Sequence, residues 1–380
     1  MISKVILIGN YLPDKQESMI RFAHLLNTGF SNNGVQSEIW WPNIFVGAKV
    51  VSTNSGFGKW LGYLDKYVIF PMILKRRIKN QNLNNASVRF HICDHSNAPY
   101  LKYLPIKHTS ITCHDVIAIR GGFGFKDSFV KVSFTGKLLQ KWILDRLKTA
   151  TSIAFVSINT FSQFKELIPA DTIPKNWKVI HNSFNNDFKR MDVRQAKIIC
   201  NRVGINVDTP FLLHVGSALL RKNRQLLLEM AKILDSSRTI NICFAGEALD
   251  SELIAKANEL NLRDNVISII KPDHETLVAL YNCCAAFVFP SLSEGFGWPL
   301  IEAQACGAPV IASNYDPMPE VSGGAALHYD PTKPQDFARG YEDLQKEDFR
   351  KVLIQKGLEN SLRFESKNMI MAYLKLINFN

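Results

Sequence analysis

Residues 285–313 read AAFVFPSLSEGFGWPLIEAQACGAPVIAS. Ala285–Pro290 is a short apolar run, the pattern of a strand buried on both faces of a parallel sheet. Gly295-Phe296-Gly297 makes a tight turn, and Pro299 falls in the first turn of a helix, where its missing N–H costs nothing. Cys306-Gly307 supplies the stop and Pro309–Ser313 the next strand. Strand, glycine loop, helix and strand in that order place a site at the carboxyl edge of a parallel sheet. The segment carries two carboxylates eight residues apart, Glu294 and Glu302. Backbone N–H groups and the positive dipole end at a helix start suit phosphate. Carboxylates accept hydrogen bonds from hydroxyls, which suits a sugar or ribose. The stretch reads as a holder for a sugar joined to a diphosphate. Without the flanking strands, the same spacing would read as an ordinary solvated helix start.

The rest of the chain alternates strand and helix in the same way. Lys4–Ile8, Glu38–Trp41, Val88–Cys93, Ser110–Cys113, Ser152–Val156 and Lys178–Ile180 read as strands of a first lobe, with an amphipathic helix over Ser18–Phe30. A second lobe restarts at strand Pro210–Gly216. Helix Arg224–Leu234, strands Thr239–Ala245 and Val266–Ile270, and helix Glu275–Cys283 follow. This β–α order predicts an α/β protein with two parallel sheets wrapped by helices. Asn185–Asp208 is polar and poorly patterned for a core, and reads as the hinge.

The 380 residues are 46% apolar, enough for two globular domains. Seven cysteines show no C-x-x-C spacing, which favours reduced thiols in a cytosolic compartment over disulfides or zinc. No apolar run reaches the length of a membrane span, and the first strand is too short for a signal-peptide core. The net charge of +11 is lopsided. Residues 1–190 carry 25 Lys/Arg against 11 Asp/Glu, and residues 191–380 carry 20 against 23. The first half therefore wants an anionic partner, a membrane surface or lipid phosphate. Nucleic acid is disfavoured, since no helix-turn-helix, zinc-finger or RNP-type motif accompanies the charge. The stretch Trp60–Lys79 mixes aromatics with the basic cluster Lys75–Lys79 and reads either as a core helix interrupted near Pro71 or as a segment lying on an anionic membrane.

Together these segments resemble the retaining glycosyltransferases of the GT-B fold, the group 1 or family 4 enzymes that use nucleotide-sugar donors. Pro290–Ala303 matches that family's paired-glutamate motif, Ala305–Ser313 its continuation, and His214–Ser217 with Arg221-Lys222-Asn223 its basic loop. Lys178–Ser183 is similar to the segment that closes the first lobe. The resemblance implies two Rossmann-like α/β/α domains facing across a cleft. Residues 1–190 would form the acceptor side and residues 191–363 the donor side, with a helix from about 364 to 380 packing back on the first. Paired glycines common after the family's first strand are replaced here by Gly9-Asn10-Tyr11.

Carried over residue by residue, the resemblance implies that Lys222 and Arg221 bind the donor diphosphate and support departure of the nucleotide. Glu302 would hold the ribose hydroxyls. Glu294, Gly295 and the backbone of Phe296 and Gly297 would position hydroxyls of the sugar, and the helix start at Trp298, Pro299 and Leu300 would face the phosphates. Gly216 and Ser217 would line the donor loop, Gly9 the acceptor side, and His114 would approach the donor sugar from the first lobe. Read alone, Arg221-Lys222 is also a plain surface pair, and a lone His at a strand end is more often structural. Asp115 would orient the His114 imidazole or cap the next turn; Asp94-His95 would line the acceptor side or cap. Gly121–Gly124 reads as a flexible loop near the acceptor.

No Asp-x-Asp, P-loop or G-x-G-x-x-G sequence occurs, and no metal-ligand spacing stands out, so no cofactor or metal is expected. The expected activity is metal-independent, retaining sugar transfer to a glycan or lipid-linked acceptor in cell-surface polysaccharide synthesis. It would run in the cytoplasm, peripherally on the inner face of the membrane. The rival readings are a nucleotide-sugar epimerase of the same fold and a non-catalytic partner subunit that kept the nucleotide pocket.

Overall fold

The computed structural model describes residues 4–50, 53, 56–85, 87–170, 176–234 and 240–378. The chain divides into two compact units. The first comprises the chain up to Phe125, Lys131–Asn185 and the residues from Ser366; the second comprises Lys126–Val130 and Asn186–Glu365.

The first unit carries strands β1 (Lys4–Ile8), β2 (Gln36–Trp40), β3 (Val88–Ile92), β4 (Thr109–Cys113), β5 (Ser152–Phe155) and β6 (Asn176–Val179). They form one parallel sheet in the order β2-β1-β3-β4-β5-β6. The alternation of side chains along β1 explains the three layers. Val5 and Leu7 pack with Phe22, Leu26 and Phe30 of helix Glu17–Asn32 and with Ile370 and Tyr373 of helix Ser366–Ile377. Ile6 and Ile8 face the other way, into a core with Phe70, Leu74, Ile143 and Phe164. A strand covered on both faces must be apolar throughout, and each buried Phe or Leu contributes roughly 1.5–3 kcal/mol.

The second unit carries β7 (Phe211–Gly216), β8 (Asn241–Gly246), β9 (Val266–Ile270), β10 (Ala286–Phe289), β11 (Val310–Ser313) and β12 (Leu327–Tyr329). Their order is β12-β11-β10-β7-β8-β9, again parallel. Connections leave β7 toward β8 and β9 on one side, and β10 begins the other side. The reversal therefore lies between β7 and β10, where an open parallel sheet leaves a crevice at its carboxyl edge. In the first unit the same reversal lies between β1 and β3.

Three expectations change. The segment read as a hinge contains helix Val193–Arg202, capped by the Asp192 carboxylate on Arg194 N and Gln195 N, with Ala196, Ile199 and Cys200 buried. The C-terminal helix, expected from about 364, runs Ser366–Ile377, preceded by a 3-10 turn whose Phe364 packs against Phe296. Its expected last residues, 379–380, lie outside the described residues, as does Thr239 of the expected strand Thr239–Ala245. Trp60–Lys79 is not broken near Pro71 but changes pitch there: helix Gly56–Leu64 passes through a π-turn, Asp65–Ile69, into helix Phe70–Asn80, so the irregularity falls just before the proline. Gly121 and Gly122 close helix Ile117–Gly122 instead of forming a loop, and only Gly124 takes a positive φ.

Candidate functional site

The loops after β7 and β10 meet because their strands are neighbours. Leu292 N donates to Arg221 O at 2.7 Å, Arg221 Nη1 to Ser293 O at 2.8 Å, and Asn223 Nδ2 to Pro290 O at 3.3 Å. Asn223, at φ 52, ends the 3-10 turn Leu220–Lys222 that carries both cations. Asn tolerates that left-handed conformation better than most side chains.

Three charged side chains close on one another in this corner. Lys222 Nζ donates to Glu294 Oε1 at 2.6 Å, and Arg221 Nη1 lies 2.7 Å from Glu294 Oε2. Lys222 and Glu294 are buried, and the Lys222 ammonium sits 5.2 Å from the centroid of the Phe289 ring. Burial alone would raise the Glu294 carboxyl, but Lys222 and Arg221 outweigh it and hold the group at about 2. Lys222 is pushed down by burial, with Glu294 opposing that push. His214, on β7, donates from Nδ1 to Val288 O at 3.2 Å; burial, then the neighbouring Lys222, keeps its imidazole neutral at about 3. Lys222 spends one of its three N–H donors on Glu294, so an arriving anion can share the ammonium.

Helix Trp298–Ala305 begins beside this triad. Gly297, at φ 98, is its N-cap and has no side chain to cap the turn. A Cβ there would be strained, so glycine is required to swing the loop into the helix. Pro299 occupies the first turn and Leu300 is buried, while Phe296 packs between Phe364 at 5.7 Å and Trp298 at 6.2 Å. Glu302 lies one turn in, buried, and accepts from the Tyr281 hydroxyl at 3.0 Å on Oε2. Gly216 ends β7, and Ser217 follows it half-buried.

In the first unit, His114 is buried at the end of β4. Its Nε2–H donates to Cys93 O at 3.0 Å and its ring stands edge-on to Phe22 at 4.6 Å. Burial holds it below the usual imidazole range despite nearby Asp94. Asp115 caps, through Oδ1 to Ile117 N at 3.0 Å. Asp94 also caps: it accepts from Ser96 N at 3.2 Å, Ser96 Oγ at 2.6 Å and Asn10 Nδ2 at 2.7 Å, and forms an ion pair with His95 at 3.0 Å. Those bonds tie the turns after β1 and β3 together at the sheet's reversal. Gly9 has a packing reason to be glycine. Its N–H donates to Trp40 O at 3.0 Å, and a Cβ would meet the Trp41 ring at 2.2 Å.

Sequence reasoning named Arg221, Lys222, Glu294 and Glu302 but assigned the cations and Glu294 to different parts of a ligand. The structure places Arg221, Lys222 and Glu294 in mutual contact. It also brings in Tyr281 and Phe289, which sequence reasoning missed. The one signal for Tyr281 was a hydroxyl on the buried face of helix His274–Cys283.

Comparison with known proteins places the fold. Residues 196–359 match the family model described as glycosyl transferases group 1. O-antigen chain mannosyltransferase B of Escherichia coli is 31% identical over 164 residues, 42% of this chain and 43% of that protein. O-antigen chain mannosyltransferase RfbU of Salmonella typhimurium is 26% identical over 242 residues, 63% of this chain and 62% of that one. Each match spans less than two thirds of the relative's own length. Among solved structures, sucrose-phosphate synthase from Thermosynechococcus elongatus superposes with a TM-score of 0.73 at 16% identity, covering 98% of both chains. Anabaena HepE in complex with UDP and glucose gives a TM-score of 0.70 at 13% identity, covering 99% of both. The fold is the GT-B architecture of those enzymes, and within the second unit residues 196–359 match the glycosyl transferases group 1 family.

Proposed function

We propose that the protein is a retaining, metal-independent glycosyltransferase that moves a sugar from a nucleotide-sugar donor to a glycan or lipid-linked acceptor in cell-surface polysaccharide assembly. The observation that carries this reading is the Lys222–Glu294–Arg221 cluster at the β7/β10 reversal, beside the Gly297 N-cap of helix Trp298–Ala305. Transfer builds positive charge at the anomeric carbon and negative charge on the departing diphosphate. Fixed cations and backbone N–H groups at that diphosphate act where charge develops, which is where they lower the barrier. Lys222 and Arg221 would take the phosphate oxygens, a task otherwise given to a divalent ion. Glu302 would accept from the ribose hydroxyls, and Glu294, held ionised by its cations, from a sugar hydroxyl. The neutral imidazole of His114 suits a hydroxyl contact rather than a charged one. The acceptor oxygen would attack the face the diphosphate leaves, as the anomeric C–O bond to phosphate breaks and a phosphate oxygen takes the acceptor proton. The O-antigen mannosyltransferase relatives support polysaccharide as the product class.

The test is incubation with a panel of nucleotide-sugars and lipid-linked acceptor, with EDTA present, reading nucleotide release and anomeric configuration. Retained configuration with EDTA is expected. Inversion, or dependence on added metal, overturns the corresponding part of the proposal. Sugar interconversion without acceptor would instead make it an epimerase, and nucleotide binding without turnover a binding subunit.

The same proposal places the work at the inner, anionic face of a membrane. Among the described residues no helix is long and apolar enough to cross one. An exposed apolar face on the helix pair joined by the π-turn supports this reading. Phe70, Leu74 and Ile78 are buried, while Phe57, Trp60, Leu64, Val68 and Met72 form an exposed stripe, with Phe57 75%, Trp60 55% and Met72 67% exposed. Lys75, Arg76 and Lys79 continue the exposed face. The lone acid from residue 56 to 80, Asp65, is turned inward onto Phe45 N, Gly47 N and the Tyr11 hydroxyl. An apolar stripe ending in cations with no exposed acid suits an anionic bilayer surface. The protein should sediment with phosphatidylglycerol vesicles and about tenfold less with phosphatidylcholine vesicles, and the Phe57→Ser/Trp60→Ser double variant should lose the difference. Equal sedimentation with both lipids would rule this face out.

A further inference from the structure

The buried hydroxyl of Tyr281 has no part in the reading above, yet it touches a residue to which that reading gives a ligand. It donates to Glu302 Oε2 at 3.0 Å, and both side chains are buried. Burial, reinforced by the Glu302 charge, pushes the phenol well above its usual range, so it remains a donor at any working pH. The ring itself is clamped. Phe287 of β10 stands edge-on to it at 5.3 Å, and Phe188, from the stretch entering the second unit, at 6.2 Å. That stretch is in turn fixed to the helix that carries Tyr281. His274 Nε2–H donates to Asp187 O at 2.9 Å, Met191 N to Asn282 Oδ1 at 2.9 Å, and Asn282 Nδ2 to Lys189 O at 3.2 Å.

We infer that Tyr281 is a positioning residue for the donor. Its hydroxyl fixes the plane of the Glu302 carboxylate so that the carboxylate can receive the vicinal hydroxyls of the nucleotide ribose. The last torsion of a glutamate is broad and roughly two-fold, so an unrestrained carboxylate would sample many planes. A charge-assisted bond from a clamped donor removes that freedom before the ligand arrives. The inference rests on Glu302 being the ribose ligand.

Tyr281→Phe keeps the ring and its packing and removes the hydroxyl alone. Calorimetry uses whichever of ADP, CDP, GDP and UDP binds the wild type most tightly, together with its 2′,3′-dideoxy counterpart. The variant should bind the ribose form roughly 5- to 20-fold more weakly, as expected for one lost charge-assisted bond, and the dideoxy form nearly as the wild type does. Added to Glu302→Gln, it should cost little more, because the two act as one unit. Equal losses with both ligands would mean that the hydroxyl only supports the fold, and the inference fails. A full loss in Glu302→Gln with none in Tyr281→Phe also sinks it while leaving the proposed function standing. If Glu302→Gln binds both ligands as the wild type does, or if no diphosphate binds the wild type, the ribose assignment falls and takes this inference with it.

Discussion

Lys222→Ala lowers kcat/KM for sugar transfer by about 10³-fold, roughly 4 kcal/mol of transition-state stabilisation. The expectation follows from where the ammonium sits. It is buried, so its field is not screened as a surface lysine's would be. It is held at 2.6 Å by Glu294 and backed by the Phe289 ring, so it needs no reorganisation when the diphosphate leaves. Arg221 remains on Glu294 in the variant, so the carboxylate keeps one cation and the corner should still fold. The loss should divide between the two kinetic constants. Diphosphate contact in the ground state raises KM, and the extra charge on the leaving group lowers kcat. Steady-state kinetics on the best donor, with a melting curve to show that the variant is folded, checks this. A folded variant within about fivefold of wild type would remove Lys222 from the leaving-group role.

The parts of the site differ in how readable they were, for a physical reason. Ala286–Phe289 and Val310–Ser313 were legible because parallel strands buried on both faces are continuous apolar runs bounded by turn residues. The helix start at Gly297 was legible because positive φ and a first-turn proline leave a local signature. Contacts between elements leave none. Arg221 and Lys222 reach Glu294 across 73 and 72 positions only because the sheet order sets β7 against β10. Tyr281 finds Glu302 for a similar reason, since their helices flank the same strand. The last strand of the first sheet was read at Lys178–Ile180 but runs Asn176–Val179. Asn176 looks like a turn residue locally, yet its amide donates to Ser152 Oγ at 3.2 Å and to Leu376 O at 3.1 Å, partners far along the chain. Helix Val193–Arg202 was missed because it buries only Ala196, Ile199 and Cys200, while Val193 and Ile198 stay exposed and blur the period.

Glu294→Gln removes an acid-labile part of the second unit's stability. The folded carboxyl titrates at about 2, against an ordinary value of 4.5, so the ionised form is favoured in the folded state. A depressed carboxyl contributes stability above its unfolded value and loses it as pH falls toward the folded one. The full contribution is about 3 kcal/mol at pH 7, with roughly 2 kcal/mol gone by pH 3. Burial lowers Lys222 against the opposing pull of Glu294, so the net worth of the cluster at neutral pH is smaller than the carboxylate's share. Asp94 and Asp250 are also held below the usual carboxylate range and add acid sensitivity of their own. The informative quantity is therefore the difference between wild type and variant. Urea midpoints taken from pH 7 to pH 3 should lie well apart at neutral pH, where the variant leaves Lys222 and Arg221 without their anion, and converge as the wild-type carboxylate is neutralised. Parallel curves across that range would mean that Lys222 and Arg221 do not hold the Glu294 charge in solution, and the electrostatic basis for diphosphate binding in this corner would go with it.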